Sequence, residues 1–127
     1  MKIFGIGTDI IKTSRIKNSI KNKLFLNKIY NIEEVLRCNK TRNRSNCFAK
    51  RFAAKEAFSK ALGTGIAKGL SFNEIVILNK KNGKPFIKLL NKTKKFVDNK
   101  LKKKKYKIFL SITDEKNYAV AFVTISI

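Results

Sequence analysis

The sequence predicts a single α+β domain, a mainly antiparallel sheet packed against one long helix with shorter helices beside it. Three observations predict it. A glycine-containing strand pattern occupies residues 3–11, a long helical segment runs from about Arg44 to Leu62, and the second half reads mainly as strands joined by turns. With 127 residues and a hydrophobic fraction of 43%, the chain has room for one real core spanning 1–127, and it carries no internal repeat or domain boundary. No apolar run approaches the roughly 18–20 residues of a membrane span. The N-terminus also lacks a signal-peptide layout. The expectation is a cytoplasmic protein with no membrane segment.

The first strand, IFGIGTDII, alternates in two faces. Phe4, Ile6, Thr8 and Ile10 point one way, and Ile3, Gly5, Gly7, Asp9 and Ile11 the other. Asp9 therefore shares a face with two glycines, and glycine inside a strand marks close approach by a ligand or by another backbone. The plain alternative is that Thr8 and Asp9 end the strand and cap the next segment. Gly5-Ile6-Gly7 lacks the third glycine of a dinucleotide fingerprint.

Residues 12–40 read as short helical pieces, with Asn31 and Glu34 forming a capping box ahead of Val35 and Leu36. A basic loop from Lys40 to Asn46 leads into the long helix, which Gly63 closes with a left-handed cap. Thr64, Gly65 and Gly69 keep the following loop supple, and GTGIAKG does not have the spacing of a Walker loop. Phe72–Leu78 and Pro85–Leu89 form a hairpin around Asn82-Gly83. Thr93–Leu101 is a short amphipathic helix presenting Phe96, Val97 and Leu101, and Lys102–Lys105 is a solvated charge run. A second hairpin pairs Ile108–Thr113 with Tyr118–Ile127, turning through Asp114–Asn117.

Within the long helix, Phe48, Phe52, Ala54, Phe58, Ala61 and Leu62 cover a wide apolar arc. Glu56 and Lys60 lie about 40° apart on the remaining side, with the small residues Ala49 and Ala53 close by. The arrangement fits two readings. One is an i,i+4 ion pair stabilising the helix by about 0.2–0.5 kcal/mol. The other is a ligand site, with space left beside a carboxylate and an amine.

A formal charge of +22, from 30 basic against 8 acidic residues, suits a polyanionic partner, whether nucleic acid, membrane surface, phosphorylated ligand or acidic protein. It equally suits a Lys-, Asn- and Ile-rich composition that scatters lysine everywhere. The acids are more telling, because Asp9 and Glu56 fall inside apolar, patterned segments where a charge is costly without a partner. The chain has no histidine, which removes Ser-His-Asp chemistry and imidazole metal sites. Cys38 and Cys47 are too few for a zinc site or a disulfide framework and are expected as reduced thiols. Any metal would be a hard ion held by carboxylates. Magnesium is typically held by one or two carboxylates, with substrate phosphates and waters completing its shell. Asp9 and Glu56, beside Arg51, Lys60 and a glycine loop, match that requirement.

Five blocks carry a resemblance: GIGTDII at 5–11 with Arg15-Ile16, RFAAKEAFSKALGTGI at 51–66, GLSFNEIVI at 69–77, NGKP at 82–85 and SITD at 111–114. In order and spacing they resemble the holo-acyl-carrier-protein synthases, the short trimeric type of the 4′-phosphopantetheinyl transferase superfamily. Residues 17–47 and 90–107 match only loosely. The resemblance implies that superfamily's fold and a magnesium-dependent transferase supporting fatty acid biosynthesis. Such an enzyme moves 4′-phosphopantetheine from coenzyme A to a serine of apo acyl carrier protein and releases adenosine 3′,5′-bisphosphate. It implies Asp9 and Glu56 as metal ligands and Lys60 as the catalytic lysine at the phosphate under attack. Arg51, Ser59 and Gly63, with Arg42 and Arg44 near the 3′-phosphate, would contact the coenzyme, and Arg15 would dock the carrier protein. It further implies a homotrimer with sites between protomers, acting on neither nucleic acid nor membrane. Two positions depart from the family pattern, Phe109 and Asp114, where relatives carry histidine often and sometimes, respectively. The alternative is a basic RNA-binding or ribosome-associated domain, supported by the charge and by Tyr106, Phe109 and Tyr118 near lysines. It has no RNA-binding signature and leaves Asp9 and Glu56 unexplained.

Overall fold

A computed structural model describes all residues except Ala67, Lys68 and Lys103. Parts of GTGIAKG and of the Lys102–Lys105 run therefore lie outside the described residues. In chain order the elements are strand β1 (Ile3–Lys12) and helices α1 (Thr13–Ser19), α2 (Lys23–Ile29), α3 (Ile32–Asn39) and α4 (Arg44–Leu62). They continue with strands β2 (Ile75–Asn79) and β3 (Pro85–Leu89), helix α5 (Asn91–Lys100), and strands β4 (Lys107–Glu115) and β5 (Tyr118–Ser126). The strands form an antiparallel sheet ordered β1-β5-β4 and a separate β2-β3 hairpin. The α+β expectation holds.

Helix α4 is the centre of the molecule and packs chiefly on β1 and β5. Its ends are set locally. Asn43 Oδ1 accepts from the Asn46 amide at the N-terminus, and Gly63 at φ 87° closes the C-terminus. Alternation in the sheet places Gly5, Gly7, Asp9 and Ile11 of β1 on the face toward the helix, opposite Ile125, Val123, Ala121 and Ala119 of β5. The two glycines admit a backbone, not a ligand. A Cβ on Gly5 would overlap the Ala61 carbonyl, and one on Gly7 the Ala57 carbonyl. The small residues beside Glu56 are spent in the same way, since Ala49, Ala53 and Ala57 are completely buried. The space expected there for a ligand is filled by packing. Ile3 leaves the alternation at an irregularity between Ile3 and Gly5, and it stands exposed.

The Asn31–Glu34 capping box forms as expected. Tyr30 donates its hydroxyl to the Phe48 carbonyl (2.9 Å), tying the α2–α3 junction to α4. Phe25, Phe52 and Phe72 stack in sequence, with centroids 6.4 and 5.6 Å apart.

Two element boundaries need correction. Phe72–Glu74 is a 3₁₀ turn and not the start of β2, and its Phe72 carbonyl accepts from buried Lys55. In the second hairpin β4 runs on to Glu115, so Asp114 sits in the ladder opposite Ala119 and not in the turn.

The cysteines also depart from expectation. Cys38 and Cys47 form a disulfide between the end of α3 and the first turn of α4. The turn at residues 40–43 brings their Cα atoms to 5.5 Å, inside the range a bridge requires.

Candidate active site

Asp9 leaves β1 beside α4 and meets Lys60 from the helix. Lys60 Nζ donates to Asp9 Oδ1 (3.1 Å) and to the Thr8 carbonyl (3.1 Å). The lysine side chain is 52% exposed and the Asp9 side chain 15%, so this contact is a rim pair contributing at most about 1 kcal/mol. Lys60 makes no ion pair with Glu56 among the described residues, although the two are i,i+4 on one helix. Of the two readings of this helix face, the i,i+4 ion pair gives way to a strand-to-helix contact.

Glu56 is half-buried near the same spot. Burial pushes its carboxyl above the ordinary glutamate range and the neighbouring Asp9 charge adds to the rise, while Lys60 and Arg15 pull the other way. Asp9, Glu56, Lys60 and Arg15 thus form one electrostatic group. The two carboxylates repel each other in a way that a cation between them would relieve. Among the described residues no cluster of three or more acidic or cysteine side chains forms. The donor set suits a hard ion that takes two protein oxygens and draws the rest from ligand and water. Glu56 also faces an open cleft of about 560 Å³, lined with it by Lys28, Ile66, Leu70, Ser71, Phe72 and Asn73.

Arg51 points elsewhere. It is buried, donating from one guanidinium nitrogen to the Cys47 carbonyl (3.3 Å) and sulfur (3.3 Å), and from the other to Asn79 Oδ1 (2.9 Å). Its Nε has no hydrogen-bond partner among the described residues. It lines a pocket of about 220 Å³ with Arg37, Lys50, Gly83, Pro85 and Asp114, which includes neither Asp9, Glu56 nor Lys60. Burial lowers the guanidinium pKa despite the pull of Glu34. The expectation that Arg51 lies beside the two carboxylates fails within one chain.

Ser59 is completely buried and donates its hydroxyl to the Glu56 carbonyl (2.7 Å). Its side chain is out of reach of an outside ligand. Its own carbonyl instead accepts from the amides of Gly63, Thr64 and Gly65, shaping the loop after α4. Gly63 is exposed with open space around its Cα. Arg44 lies over the Phe48 ring at 5.1 Å and donates to Asn39 Oδ1 (2.7 Å), and Arg42 is exposed on the preceding turn. Neither joins the Asp9–Glu56 group. Arg15 stands exposed on α1.

Sequence reasoning missed a buried pair. Lys55 and Glu34 are both fully buried and meet at 2.8 Å. Burial brings the Lys55 pKa down to about 8, against the opposing pull of Glu34. The available signal was the helix geometry, since Lys55 falls about 100° from Ala54 and about 60° from Phe58, inside the apolar arc.

A sheet packed on one central helix thus brings an acidic pair and a lysine to the sheet–helix edge. Residues 5–123 match the 4′-phosphopantetheinyl transferase superfamily, and the chain belongs to that superfamily. It is 46% identical over 123 residues to the holo-[acyl-carrier-protein] synthase of Pelagibacter ubique, covering 97% of this chain and 96% of that one. Its fold is similar to the crystal structure of the Neisseria meningitidis holo-[acyl-carrier-protein] synthase, at a TM-score of 0.89 and 37% identity over 98% of this chain and 99% of that one. The Helicobacter pylori enzyme of the same name, solved in complex with coenzyme A, is similar at a TM-score of 0.79 and 31% identity, over 95% and 99% of the two chains.

Proposed function

We propose that this protein is a holo-acyl-carrier-protein synthase serving fatty acid biosynthesis. It transfers 4′-phosphopantetheine from coenzyme A to a serine hydroxyl of apo acyl carrier protein and releases adenosine 3′,5′-bisphosphate. The observation that carries this reading is the convergence of Asp9, Glu56 and Lys60, drawn from β1 and α4, with Glu56 lining an open cleft.

Asp9 and Glu56 would hold Mg²⁺, which when bound supplies neutralising charge for the 5′-phosphate of the leaving adenosine 3′,5′-bisphosphate. Lys60 is exposed and only loosely held by Asp9, so its ammonium is free to turn toward a phosphate oxygen and orient it for attack. Phosphoryl-type transfer depends on positioning and charge neutralisation more than on covalent chemistry by the protein. The lack of histidine is therefore no obstacle. Arg15, close enough to influence Glu56, is the docking contact for an acidic carrier protein, and the charge of +22 steers that encounter.

The protein works as a homotrimer with its sites between protomers. The sheet face turned away from α4 exposes Ile6 (59%), Ile10 (62%), Phe109 (47%) and Phe122 (45%), a contiguous apolar surface that a neighbouring copy would cover. Such an assembly also accounts for the distance between the Arg51 pocket and the carboxylates, because one protomer's Arg51, Arg42 and Arg44 would serve a coenzyme seated at its neighbour's Glu56. Gly63 lets the loop after α4 approach the ligand. No helix among the described residues is long and apolar enough to cross a membrane, and a cytoplasmic location goes with this reading. The RNA-binding alternative gains no support, since paired carboxylates would repel a nucleic-acid backbone.

Incubation with coenzyme A, Mg²⁺ and an apo acyl carrier protein, followed by intact-mass measurement of the carrier, tests the proposal. Gain of one phosphopantetheine group is expected, and no gain overturns it.

A further inference from the structure

Lys55 is buried within the core although the residue after it faces the cleft. Its ammonium donates to Glu34 Oε1 (2.8 Å), the Phe72 carbonyl (2.8 Å) and the Ile75 carbonyl (2.6 Å), using all three of its hydrogens. Glu34 is satisfied in turn, accepting from the Asn31 amide on Oε1 (2.9 Å) and the Ile77 amide on Oε2 (3.1 Å). One buried ion pair therefore joins α3, α4 and the segment from the 3₁₀ turn into β2.

That segment is a wall of the Glu56 cleft. Ser71, Phe72 and Asn73 line the cleft opposite the helix. From outside, the turn is tied to the start of α5: Glu74 Oε1 accepts from the Thr93 amide (3.2 Å) and hydroxyl (2.9 Å), the Glu74 carbonyl accepts from the Leu90 amide (3.0 Å), and the Ser71 amide donates to Thr93 Oγ1 (3.0 Å). Asn73 reaches the Asn27 carbonyl at a long 3.4 Å. Lys55 supplies the fixing from inside, holding the carbonyls on both sides of the turn, and the Phe52–Phe72 stack keys the wall's ring against α4. A single helix thus presents Glu56 on one wall and, from the adjacent residue, sets how far away the other wall stands.

We propose that Lys55 is a positioning residue for the transfer reaction: with Glu34 it fixes the width of the cleft that receives the pantetheine arm of coenzyme A. The cleft chemistry suits such an arm. Ile66, Leu70 and Phe72 offer apolar contact to its methylenes and methyls, and Ser71 and Asn73 offer polar partners to its amides. This rests on the reading of the chain as a coenzyme A-dependent transferase. A buried pair of this kind contributes little net stability compared with an apolar pair of equal volume, so its retention here is explained by placement of the wall.

The test compares coenzyme A with a ligand that lacks its whole 4′-phosphopantetheine group, the arm together with its phosphate. Lys55→Met combined with Glu34→Leu replaces the pair by apolar side chains without stranding a charge, and thermal unfolding checks that the variant folds. Titration calorimetry then measures coenzyme A and adenosine 3′,5′-bisphosphate, which lacks the arm. Coenzyme A affinity is expected to fall about tenfold and turnover about a hundredfold, from a wall displaced by roughly 1 Å. Affinity for the bisphosphate should stay within about twofold of the parent, within the factor that a few tenths of a kcal/mol represents. Equal losses for both ligands, or no loss for either, overturn the role of Lys55. Should the double variant not fold, hydrogen exchange on the parent decides: coenzyme A must protect the amides of Leu70–Ile75 more than the bisphosphate does, and equal protection overturns the proposal. A parent that binds neither ligand and transfers nothing overturns the transferase reading itself, and this inference with it.

Discussion

Lys60 reaches from α4 to Asp9 on β1, with Nζ 3.1 Å from Oδ1, and leaves Glu56 on its own helix without an ion pair among the described residues. The arrangement keeps Glu56 charged only at some cost, and that has measurable consequences. Folding holds the Glu56 pKa above its ordinary value of 4.5. Between the two values the native state binds more protons than the unfolded chain, so stability falls as pH rises through that window and the full cost persists above it. Glu56→Gln should therefore raise the melting temperature of metal-free protein at pH 7, and the gain should vanish near pH 4. In saturating Mg²⁺ the order should reverse, because only the parent binds the ion tightly. The same variant should lose about two to three orders of magnitude in transfer rate. Thermal unfolding in chelator and in Mg²⁺, with a turnover assay, checks all three; an unchanged rate removes Glu56 from the metal site.

Arg15→Glu should act on a different parameter. Arg15 is exposed on α1 and makes no ion pair among the described residues, so reversing its charge leaves the fold alone. The expected result is a rise of about tenfold in KM for the carrier protein, the equivalent of roughly 1.4 kcal/mol. The effect should shrink in high salt as the long-range attraction is screened. An effect confined to coenzyme A affinity would refute the docking role.

The glycines of β1 give a sharper packing test. A methyl on Gly7 would overlap the Ala57 carbonyl and crowd the Ala61 amide at 2.6 Å, neither of which can move without displacing α4. Gly7→Ala should cost about 3 kcal/mol or prevent folding, at the upper end of overpacking costs. Gly63→Ala has open space, and its cost comes only from φ 87°, about 1 kcal/mol. Chemical denaturation of the two variants separates steric overlap from backbone preference, and equal losses would contradict the close approach of helix and strand.

Much of this was legible in the sequence because it is local. Helix α4 was bounded by Gly63 and by its apolar arc, the capping box by Asn31 and Glu34, and the hairpins by their turn residues. The illegible part depends on contacts far apart in the chain. Nothing at residue 60 says that its partner lies at residue 9 and not at residue 56. Lys55 falls inside the apolar arc of its helix, but the carbonyls it binds come from a segment about twenty residues later. Glycines at 5 and 7 signalled close approach, yet only the packed structure shows that a helix, and not a ligand, occupies the place. The five sequence blocks, by contrast, located Asp9 and Glu56 from pattern alone, and the fold brings both to one edge.

Cys38 and Cys47 were expected as free thiols, and their pairing comes from the turn that folds α3 back toward α4. The bridge closes a short loop whose far end carries the buried contact to Arg51. Loop-closure entropy for a loop of this size corresponds to about 2–3 kcal/mol. Reductant, or Cys38→Ser with Cys47→Ser, should lower stability by that amount while leaving the Asp9–Lys60 edge intact. Alkylation and intact mass of the purified protein before and after reduction, alongside thermal unfolding, make the check. Two freely alkylated cysteines in air-exposed protein would rule the bridge out.

The outer sheet face carries the last prediction. Ile10 and Phe122 lie on the face away from α4, on neighbouring strands β1 and β5, and both are largely exposed in the single chain. Each would gain about 1.5–3 kcal/mol from full burial, more than a lone surface side chain has any reason to forgo. If this face is where copies meet, Phe122→Asp buries a charge at each interface and should convert trimer to monomer by light scattering. Transfer should be lost with it, because a monomer parts the Arg51 pocket from the Glu56 cleft. Its own fold should survive, since residue 122 makes its ladder contacts through the backbone and turns its ring outward. A monomeric variant that still transfers phosphopantetheine at the parent rate would show that each chain carries a complete site, and the shared-site arrangement would have to be abandoned.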